Sequence, residues 1–351
     1  MGRNVVYVGS YTYEENSTGL TAYSMDEDGN LELLEEITED NVVYLAASRD
    51  RRHLYAITDE GIATFGIAGD GTLMREGTVR TRGMRGSYLS LDAKEEFMFV
   101  AGYYDGRLSV IRMENGQPVK EVSSIHYRGI TNVAEKSFVP HLSCVMMSPD
   151  QEYLCVLDSG QDCLTCYRLN RETGELREAG VLHCDIDSEP YRMVFSRDGR
   201  FLYLLYESAC RLEVYSYQNT VKGPEFEKLQ SLPTMGRLTT QITVGSGLRM
   251  ADSGLFLLTT NAGDNSVAYF ELDPETGLAE LKFSLPVSGD YPVDLFIYPG
   301  ESQIGVVNRT SQTITFFSID ERRNAIYMNR KFITIKEPGC VLLVGLEEEC
   351  V

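Results

Sequence analysis

The chain has 351 residues, of which 43% are hydrophobic, and this is enough apolar material for a sizeable folded core. It carries 52 acidic and 32 basic residues and a formal net charge of -20, so its field repels nucleic-acid backbones and anionic membrane surfaces. We therefore expect no nucleic acid and no membrane as partners, and no segment approaches the roughly 20 apolar residues of a membrane helix.

Two features of the sequence bear on the cell compartment. No apolar export signal follows Met1-Gly2-Arg3-Asn4, because a strand-like segment begins at once. The eight cysteines are scattered through a large chain and do not form the framework of a small disulfide-rich domain. These features together lead us to expect a cytoplasmic protein with reduced thiols.

Short apolar segments recur along the chain about 50 residues apart, which is a repeat length typical of propeller blades. Each segment contains β-branched or aromatic residues and is bounded by turn residues, so each indicates a buried strand. The segments are Val5–Val8, Leu54–Ile57, Phe97–Val100, Tyr153–Val156, Phe201–Leu204, Leu255–Leu258 and Ile304–Val307.

The neighbours of these segments repeat as well. An apolar segment that ends in a polar turn precedes most of them, as in Val145–Asp150, and an alternating segment follows, as in Leu212–Tyr217. A turn such as Asp28-Gly29-Asn30 then leads to a fourth strand, for example Leu31–Leu34. Four antiparallel strands in up-and-down order are typical of a propeller blade.

The number of repeats indicates a closed ring. Six units run from the strand near Val43 to the strand near Ile335, while the N-terminal unit lacks its first strand. The C-terminal segment Cys340–Leu346 is a strand without a unit, and we expect it to complete the N-terminal blade. The sequence therefore predicts an all-β fold, a seven-bladed β-propeller with four antiparallel strands per blade, as one domain over residues 1–351. The absence of Trp excludes propellers of the Trp-Asp repeat class.

This architecture selects candidate functional residues by position. The start of the first strand and the end of the second strand lie at the same end of an antiparallel blade, so these positions surround one mouth of the channel. They bring together an imidazole, carboxylates, guanidiniums and amides, which suit a hydrolytic or sugar-binding site. The residues after the second strands are Tyr11, Asp59, Tyr103, Asp158, Asp162, Glu207, Asn261 and Asn308, and those before the first strands are Arg85, His141, Arg192 and Tyr291.

Several short motifs lie in a characteristic order across the blades. They are Tyr7–Thr12, Pro140-His141 followed by Ser148-Pro149-Asp150, Asp158–Asp162, Glu189–Arg192, Tyr206-Glu207 and Asn261–Ser266. In their order and spacing, over almost the whole chain, they resemble the lactonase family of seven-bladed propellers, typified by propeller-type 6-phosphogluconolactonases. The resemblance implies hydrolysis of a sugar-type lactone by water, and a small-molecule lactone or sugar acid as the ligand.

The resemblance also implies which residues act. It places Glu207, His141 and Arg192 at the active site, with Glu207 as a general base toward water and His141 orienting that water or sharing the role. Arg192 would bind a substrate carboxylate or phosphate, or stabilise the oxyanion. Around them we expect substrate contacts from six other residues of the channel mouth: Tyr11, Arg85, Tyr103, Asp158, Asn261 and Asn308.

The chain departs from the family pattern at several positions. Ser143 stands where a second histidine is usual, and Tyr191 stands where an arginine is usual, with Arg192 one residue later. If this segment is an extended strand, the one-residue shift turns the arginine to the opposite face. Ala262 and Val293 also replace arginines. The departures and the negative net charge favour a neutral or carboxylated lactone, and they leave weak activity open.

Two other functions stay open on the sequence alone. One is a non-catalytic propeller that binds a small metabolite or a protein at the same face, and the other is a carboxymuconate-type lactonising activity. Asp158 and Asp162 lack a recognisable metal-binding loop, and Cys163 and Cys166 fall on opposite faces of a strand. We therefore expect no metal and no cofactor.

Overall fold

The fold consists almost entirely of antiparallel strands, because β-branched and aromatic residues fill the short segments and turn residues separate them. The computed structural model describes residues 3–131, 137–236 and 241–346. Within these residues the chain forms 31 strands and one short 3₁₀ helix, Glu321–Arg323. The predicted single domain includes residues 1–2, 132–136, 237–240 and 347–351, which lie outside the described residues.

The strands form seven blades; in six of them the strands follow chain order from the channel outward, and in blade 1 the C-terminal strand lies innermost. Blade 1 contains β1 (Arg3–Ser10), β2 (Gly19–Met25) and β3 (Leu31–Thr38). Blade 2 contains β4 (Tyr44–Ala47), β5 (His53–Thr58), β6 (Gly61–Ile67) and β7 (Leu73–Val79). Blade 3 contains β8 (Tyr88–Leu91), β9 (Phe97–Ala101), β10 (Arg107–Glu114) and β11 (Gln117–His126), and a hairpin of β12 (Ile130–Thr131) and β13 (Ser137–Phe138) follows it.

The remaining blades continue the same order around the ring. Blade 4 contains β14 (Leu142–Met147), β15 (Tyr153–Asp158), β16 (Cys163–Leu169) and β17 (Leu176–His183). Blade 5 contains β18 (Pro190–Phe195), β19 (Phe201–Tyr206), β20 (Arg211–Thr220) and β21 (Gly223–Pro233). Blade 6 contains β22 (Val244–Met250), β23 (Phe256–Ala262), β24 (Ser266–Leu272) and β25 (Ala279–Pro286). Blade 7 contains β26 (Pro292–Ile297), β27 (Gln303–Asn308), β28 (Thr313–Asp320) and β29 (Ala325–Met328), with β30 (Ile333–Thr334) also paired to β28.

The two ends of the chain close the ring. The last strand, β31 (Pro338–Leu346), pairs antiparallel with β1, in a register that runs from Arg3 opposite Leu346 to Gly9 opposite Cys340. β31 also contacts the innermost strands β26 and β4 of the two neighbouring blades. The predicted seven-bladed propeller, including its completion by the C-terminal strand, is therefore confirmed.

The apolar core lies between neighbouring blades, since the second strand of each blade is buried on both faces. Val5 and Tyr7 of β1, for example, pack in one cluster with Leu54 and Phe65 of blade 2. One predicted boundary differs from the structure. β23 begins at Phe256, and Leu255 lies before it and is 52% exposed, because an apolar segment does not by itself fix the first residue of a strand.

Candidate active site

A cavity of about 270 Å³ opens at the mouth of the channel where first strands begin and second strands end. This volume lies near the small end of ligand pockets, about 300–1,000 Å³, and it suits a ligand the size of a sugar. Most of the blades contribute to its wall. Its polar and aromatic side chains are Tyr11, Arg85, Ser87, Tyr103, Tyr104, Tyr191, Arg192, Glu207, Ser246, Tyr291 and Arg309.

A second opening, of about 450 Å³, lies at the opposite end of the channel, where first strands end. Its arginine, Arg249, donates from Nη2 to the carboxylate of Asp294 at 2.7 Å and from Nε to the Leu295 carbonyl at 3.2 Å. The charge of Arg249 is thus already paired, and none of the predicted site residues line this opening. We therefore place the candidate site at the first mouth.

Glu207 is the first residue after β19 and lines the cavity. Its backbone N–H donates to the Glu189 carbonyl at 2.8 Å, and its carbonyl accepts the N–H of Gly245 at 2.9 Å. Burial, helped by the negative charge of Glu189, raises the pKa of Glu207 to about 7, although the Arg192 guanidinium acts in the opposite direction. The carboxyl group can therefore exchange a proton near neutral pH.

Arg192 and Tyr191 are adjacent in the chain, and both line the cavity. β18 has a β-bulge between Pro190 and Arg192, so Tyr191 is an extra residue that interrupts the alternation of the strand. The expectation that a one-residue shift would turn Arg192 to the opposite face is therefore wrong. The Arg192 guanidinium donates to the Ser143 carbonyl at 2.6 Å, and its central carbon lies 4.0 Å from the centre of the Tyr191 ring.

The same kind of bulge recurs in other first strands. Ser143 lies on the bulge of β14, and its hydroxyl donates to the Pro190 carbonyl at 2.9 Å. Val293 lies on the bulge of β26 and lines the cavity. Ala262, at the end of β23, is 1% exposed and does not line the cavity. Of the positions where the family usually has arginine, Tyr191 and Val293 thus face the site and Ala262 does not.

His141 lies beside the cavity and supports its wall. Its backbone N–H donates to the Asp158 carboxylate at 2.9 Å, and its Nδ1 lies 3.0 Å from the carbonyl oxygen of Tyr103. This contact assigns the proton to Nδ1, because a carbonyl oxygen can only accept. The imidazole and the Tyr103 ring lie 4.5 Å apart between centres, and Tyr103 lines the cavity. His141 therefore holds Tyr103 in place.

Tyr11 and Arg85 line the opposite wall, together with an arginine that the sequence analysis missed. Nη1 of Arg85 pairs with the Asp59 carboxylate at 2.5 Å, and its guanidinium carbon lies 5.6 Å from the centre of the Tyr11 ring. The guanidinium carbon of Arg309 lies 4.1 Å from the centre of the same ring. Arg309 is the first residue after β27, as Glu207 is after β19, and this shared position is the signal that could have found it.

Three residues expected to contact a substrate are instead fully buried: Asp158, Asn261 and Asn308. Each lies within its second strand rather than after it, because β15, β23 and β27 extend beyond the apolar segments that identified them. The Asp158 carboxylate accepts the N–H of Gly160 at 3.0 Å, and the Asn261 amide donates to the Thr234 carbonyl at 3.1 Å. None of the three lines the cavity. Asp158 and Asn261 instead form hydrogen bonds with the adjoining loops.

Asp162 holds the loop that leads into β18. Its carboxylate accepts the backbone N–H groups of Asp187, Ser188 and Glu189, at 2.7, 3.0 and 2.8 Å. This loop continues directly into Tyr191 and Arg192 of the cavity wall. Asp162, which is 7% exposed, is therefore a positioning residue for the site.

In residues 3–131, 137–236 and 241–346, no three side chains of His, Cys, Asp or Glu are grouped closely enough to ligate a metal ion. The same residues include no helix with the length and apolar content to cross a membrane.

The chain is similar to known proteins over nearly its whole length. The family described as a lactonase with a seven-bladed β-propeller matches residues 5–343. The 6-phosphogluconolactonase of Bacillus subtilis is 24% identical and spans 97% of this chain and 98% of its own. A protein of the same name from Formosa agariphila is 23% identical and spans 90% of this chain and 92% of its own. The structure of a periplasmic gluconolactonase from Pseudomonas aeruginosa, at 24% identity, shares the fold with a TM-score of 0.90 and covers 98% of this chain and 100% of its own.

Proposed function

The chain belongs to the lactonase family of seven-bladed β-propellers, and we propose that it hydrolyses a sugar-type lactone by attack of water, with Glu207 as the general base. One observation carries the proposal: a carboxyl group with a pKa of about 7 faces a sugar-sized cavity that also contains Arg192. At neutral pH about half of such groups are ionised, which suits a side chain that takes up a proton and later returns it. The names of the relatives support a lactone as the substrate class.

The proposed reaction needs only these two side chains and water. The Glu207 carboxylate takes a proton from water as the water oxygen attacks the lactone carbonyl carbon, and the C=O electron pair moves to the carbonyl oxygen. The Arg192 guanidinium stabilises the charge on that oxygen. When the tetrahedral intermediate collapses, the bond from the carbonyl carbon to the ring oxygen breaks, and the ring oxygen takes the proton from Glu207. The product is a hydroxy acid, which releases one proton to solvent.

The other cavity residues have supporting roles in the proposal. His141 acts as a positioning residue, because its Nδ1 is engaged by the Tyr103 carbonyl at 3.0 Å and its ring supports that of Tyr103. Tyr103 and Tyr191 line the cavity, and aromatic side chains that carry a hydroxyl group suit contact with a sugar ring.

The test is acid release in a pH-stat from glucono-1,5-lactone, its 6-phosphate and other aldonolactones. We expect the wild type to exceed spontaneous hydrolysis and Glu207→Gln to reduce kcat by about 100- to 10,000-fold. The kcat/KM of the wild type should rise with pH through an apparent pKa of about 7, as the Glu207 carboxylate forms. The matched control is Glu227→Gln, which removes an exposed carboxylate on β21 and should behave as the wild type.

Two outcomes would contradict the proposal. The first is that no lactone releases acid above the spontaneous rate, and the second is that Glu207→Gln matches the wild type. Binding of sugar acids without any acid release would instead favour the non-catalytic propeller.

A further inference from the structure

The charged side chains of the cavity lie on two different sides of it. Glu207 and Arg192 belong to blade 5. Arg309 directly follows the second strand of blade 7, Tyr11 directly follows that of blade 1, and Arg85 precedes blade 3. Contacts between the first strands of neighbouring blades place the seven blades in chain order around the ring, so blade 5 lies across the channel from blade 1. The cavity therefore has a reaction side around Glu207 and a cationic side around Tyr11.

The two arginines of the cationic side differ in their partners. Arg85 is neutralised by the Asp59 carboxylate at 2.5 Å, and its side chain is 15% exposed. Arg309 forms no ion pair with any carboxylate in the described part of the chain, although the protein has 52 acidic and only 32 basic residues. A guanidinium that faces a cavity without a counterion is a ready partner for an anionic group of a ligand.

The position of Arg309 is fixed before any ligand binds. Its backbone N–H donates to the Tyr291 carbonyl at 2.9 Å, and its guanidinium is stacked on the Tyr11 ring. Stacking on an aromatic face leaves the N–H groups at the edge of a guanidinium free to bind oxygen atoms. The ring has space because residue 339 is glycine, since a Cβ there would approach the Tyr11 ring to 3.0 Å.

We propose that Arg309, together with Tyr11 and Arg85, is a subsite for an anionic oxygen group carried by the substrate at the end remote from the lactone carbonyl. The inference rests on the proposed function for the reaction itself, and it adds the orientation of the substrate: the charged end lies against Arg309 and the carbonyl faces Glu207. A carboxylate and a phosphate share the required chemistry. The subsite also offsets the loss of arginine at Tyr191 and Val293, so an anionic lactone fits the cavity.

Binding of pyranosides that cannot be hydrolysed tests the subsite without catalysis. Methyl glucoside, methyl glucuronide and methyl glucoside 6-phosphate carry a neutral group, a carboxylate and a phosphate at the same end of one ring. By calorimetry, we expect the wild type to bind at least one charged probe roughly 10- to 100-fold more tightly than the neutral probe. Arg309→Gln should remove this preference and change the affinity for the neutral probe by less than about 3-fold. The charged probe that loses more affinity identifies the group for which the subsite is built.

Two further variants control for net charge and for folding. Arg82→Gln removes the same charge from an arginine on the same face that is 79% exposed and does not line the cavity, and it should keep the preference. Arg309→Lys keeps a positive charge without the planar stacking, and it should recover part of the preference. Thermal unfolding of each variant shows that it is folded at the temperature of the titration.

The outcomes separate the subsite from the proposed function. Equal affinity of the wild type for neutral and charged probes, absence of binding, or an equal loss for all three probes in Arg309→Gln would overturn the subsite. If charge-selective binding depends on Arg309 while no lactone is hydrolysed, the proposed function fails and the subsite stands. If Glu207 supports hydrolysis while neutral and phosphorylated lactones have the same kcat/KM, the subsite alone fails.

Discussion

Replacing Glu207 with glutamine should stabilise the folded protein at alkaline pH while it removes the proposed base. The pKa of Glu207 is raised from its ordinary value of 4.5 to about 7, because the carboxyl group is buried and lies near the negative charge of Glu189. The folded state therefore holds this proton more tightly than the unfolded chain does. As the pH rises from about 4.5 through 7, the wild type loses stability, since the site must accept a charge that water would solvate better.

The size of the effect follows from the difference between the two pKa values. A rise of about 2.5 pH units corresponds to about 3 kcal/mol of lost stability once the pH exceeds both values. Glutamine has a similar shape and no charge, so the variant does not bear this cost. With an unfolding entropy of about 2.1 cal/mol/K per residue, about 3 kcal/mol in a chain of this length amounts to about 4 °C in Tm.

The measurement is thermal unfolding followed by circular dichroism, at several pH values between 4 and 8, because the chain has no Trp for fluorescence. We expect Glu207→Gln and the wild type to have the same Tm near pH 4 and the variant to melt about 4 °C higher at pH 8. Glu227→Gln, which changes an exposed carboxylate, should show no pH-dependent offset. An offset for Glu207→Gln that is the same at pH 5 and pH 8 would refute the assignment of a raised pKa.

Two further predictions concern the framework of the site. Asp162→Ala should destabilise the protein by about 2 kcal/mol, because three N–H groups of residues 187–189 lose their acceptor. Asp162→Asn keeps one acceptor oxygen, so its free energy of unfolding in urea should fall by less. Equal stability of Asp162→Ala and the wild type would contradict the positioning role of Asp162. Removing residues 338–351 takes away β31 and leaves β1 as an unpaired edge, so we expect aggregation and no cooperative transition. A truncated monomer that melts like the intact chain would contradict closure by β31.

The fold could be predicted from the sequence because the strand pattern of each blade lies within one continuous segment of the chain. The second strands are short apolar segments between turn residues, and the repeat spacing counts the blades without any long-range information. Closure by Cys340–Leu346 followed from counting, since the N-terminal unit lacked its first strand and the C-terminal strand lacked a unit, and the pairing of β31 with β1 confirms it. The apolar pattern was weakest at strand ends, where Leu255 fell outside β23.

Which residues face the cavity depends on strand ends and pairing register, and the apolar pattern of the sequence does not show these. Asp158 and Asn308 are the last residues of β15 and β27, and their side chains are fully buried. Arg309 is one residue further along the chain than Asn308 and lines the cavity. Strand ends are uncertain from sequence by more than one residue, and one residue exchanges the two faces. The bulge at Tyr191 could not be seen either, because it depends on how β18 pairs with its neighbour.

Strained backbone at the starts of three first strands fixes the positions of residues in the site. Three residues directly before a proline have positive φ: Glu189 at 55°, Tyr291 at 60° and Glu337 at 42°. Positive φ is uncommon for residues other than glycine, and a following proline normally favours extended backbone, so the surrounding structure must hold each of them. Asp162 does so for Glu189, and the Asn265 side chain accepts the Tyr291 N–H at 2.9 Å.

Each of these strained residues anchors the backbone of one residue of the site. Their carbonyl groups accept the backbone N–H of the first residue after the second strand of the same blade, at 2.8, 2.9 and 2.9 Å, and those residues are Glu207, Arg309 and Tyr11. The proposed base, the proposed anion-binding arginine and the ring on which it stacks are thus anchored by the same backbone contact in three blades. Because these anchors lie at the ends of the sheets, the ring of blades sets the distance between the reaction side and the cationic side. A substrate that is bound at its charged end and attacked at its carbonyl needs this distance to be fixed in advance.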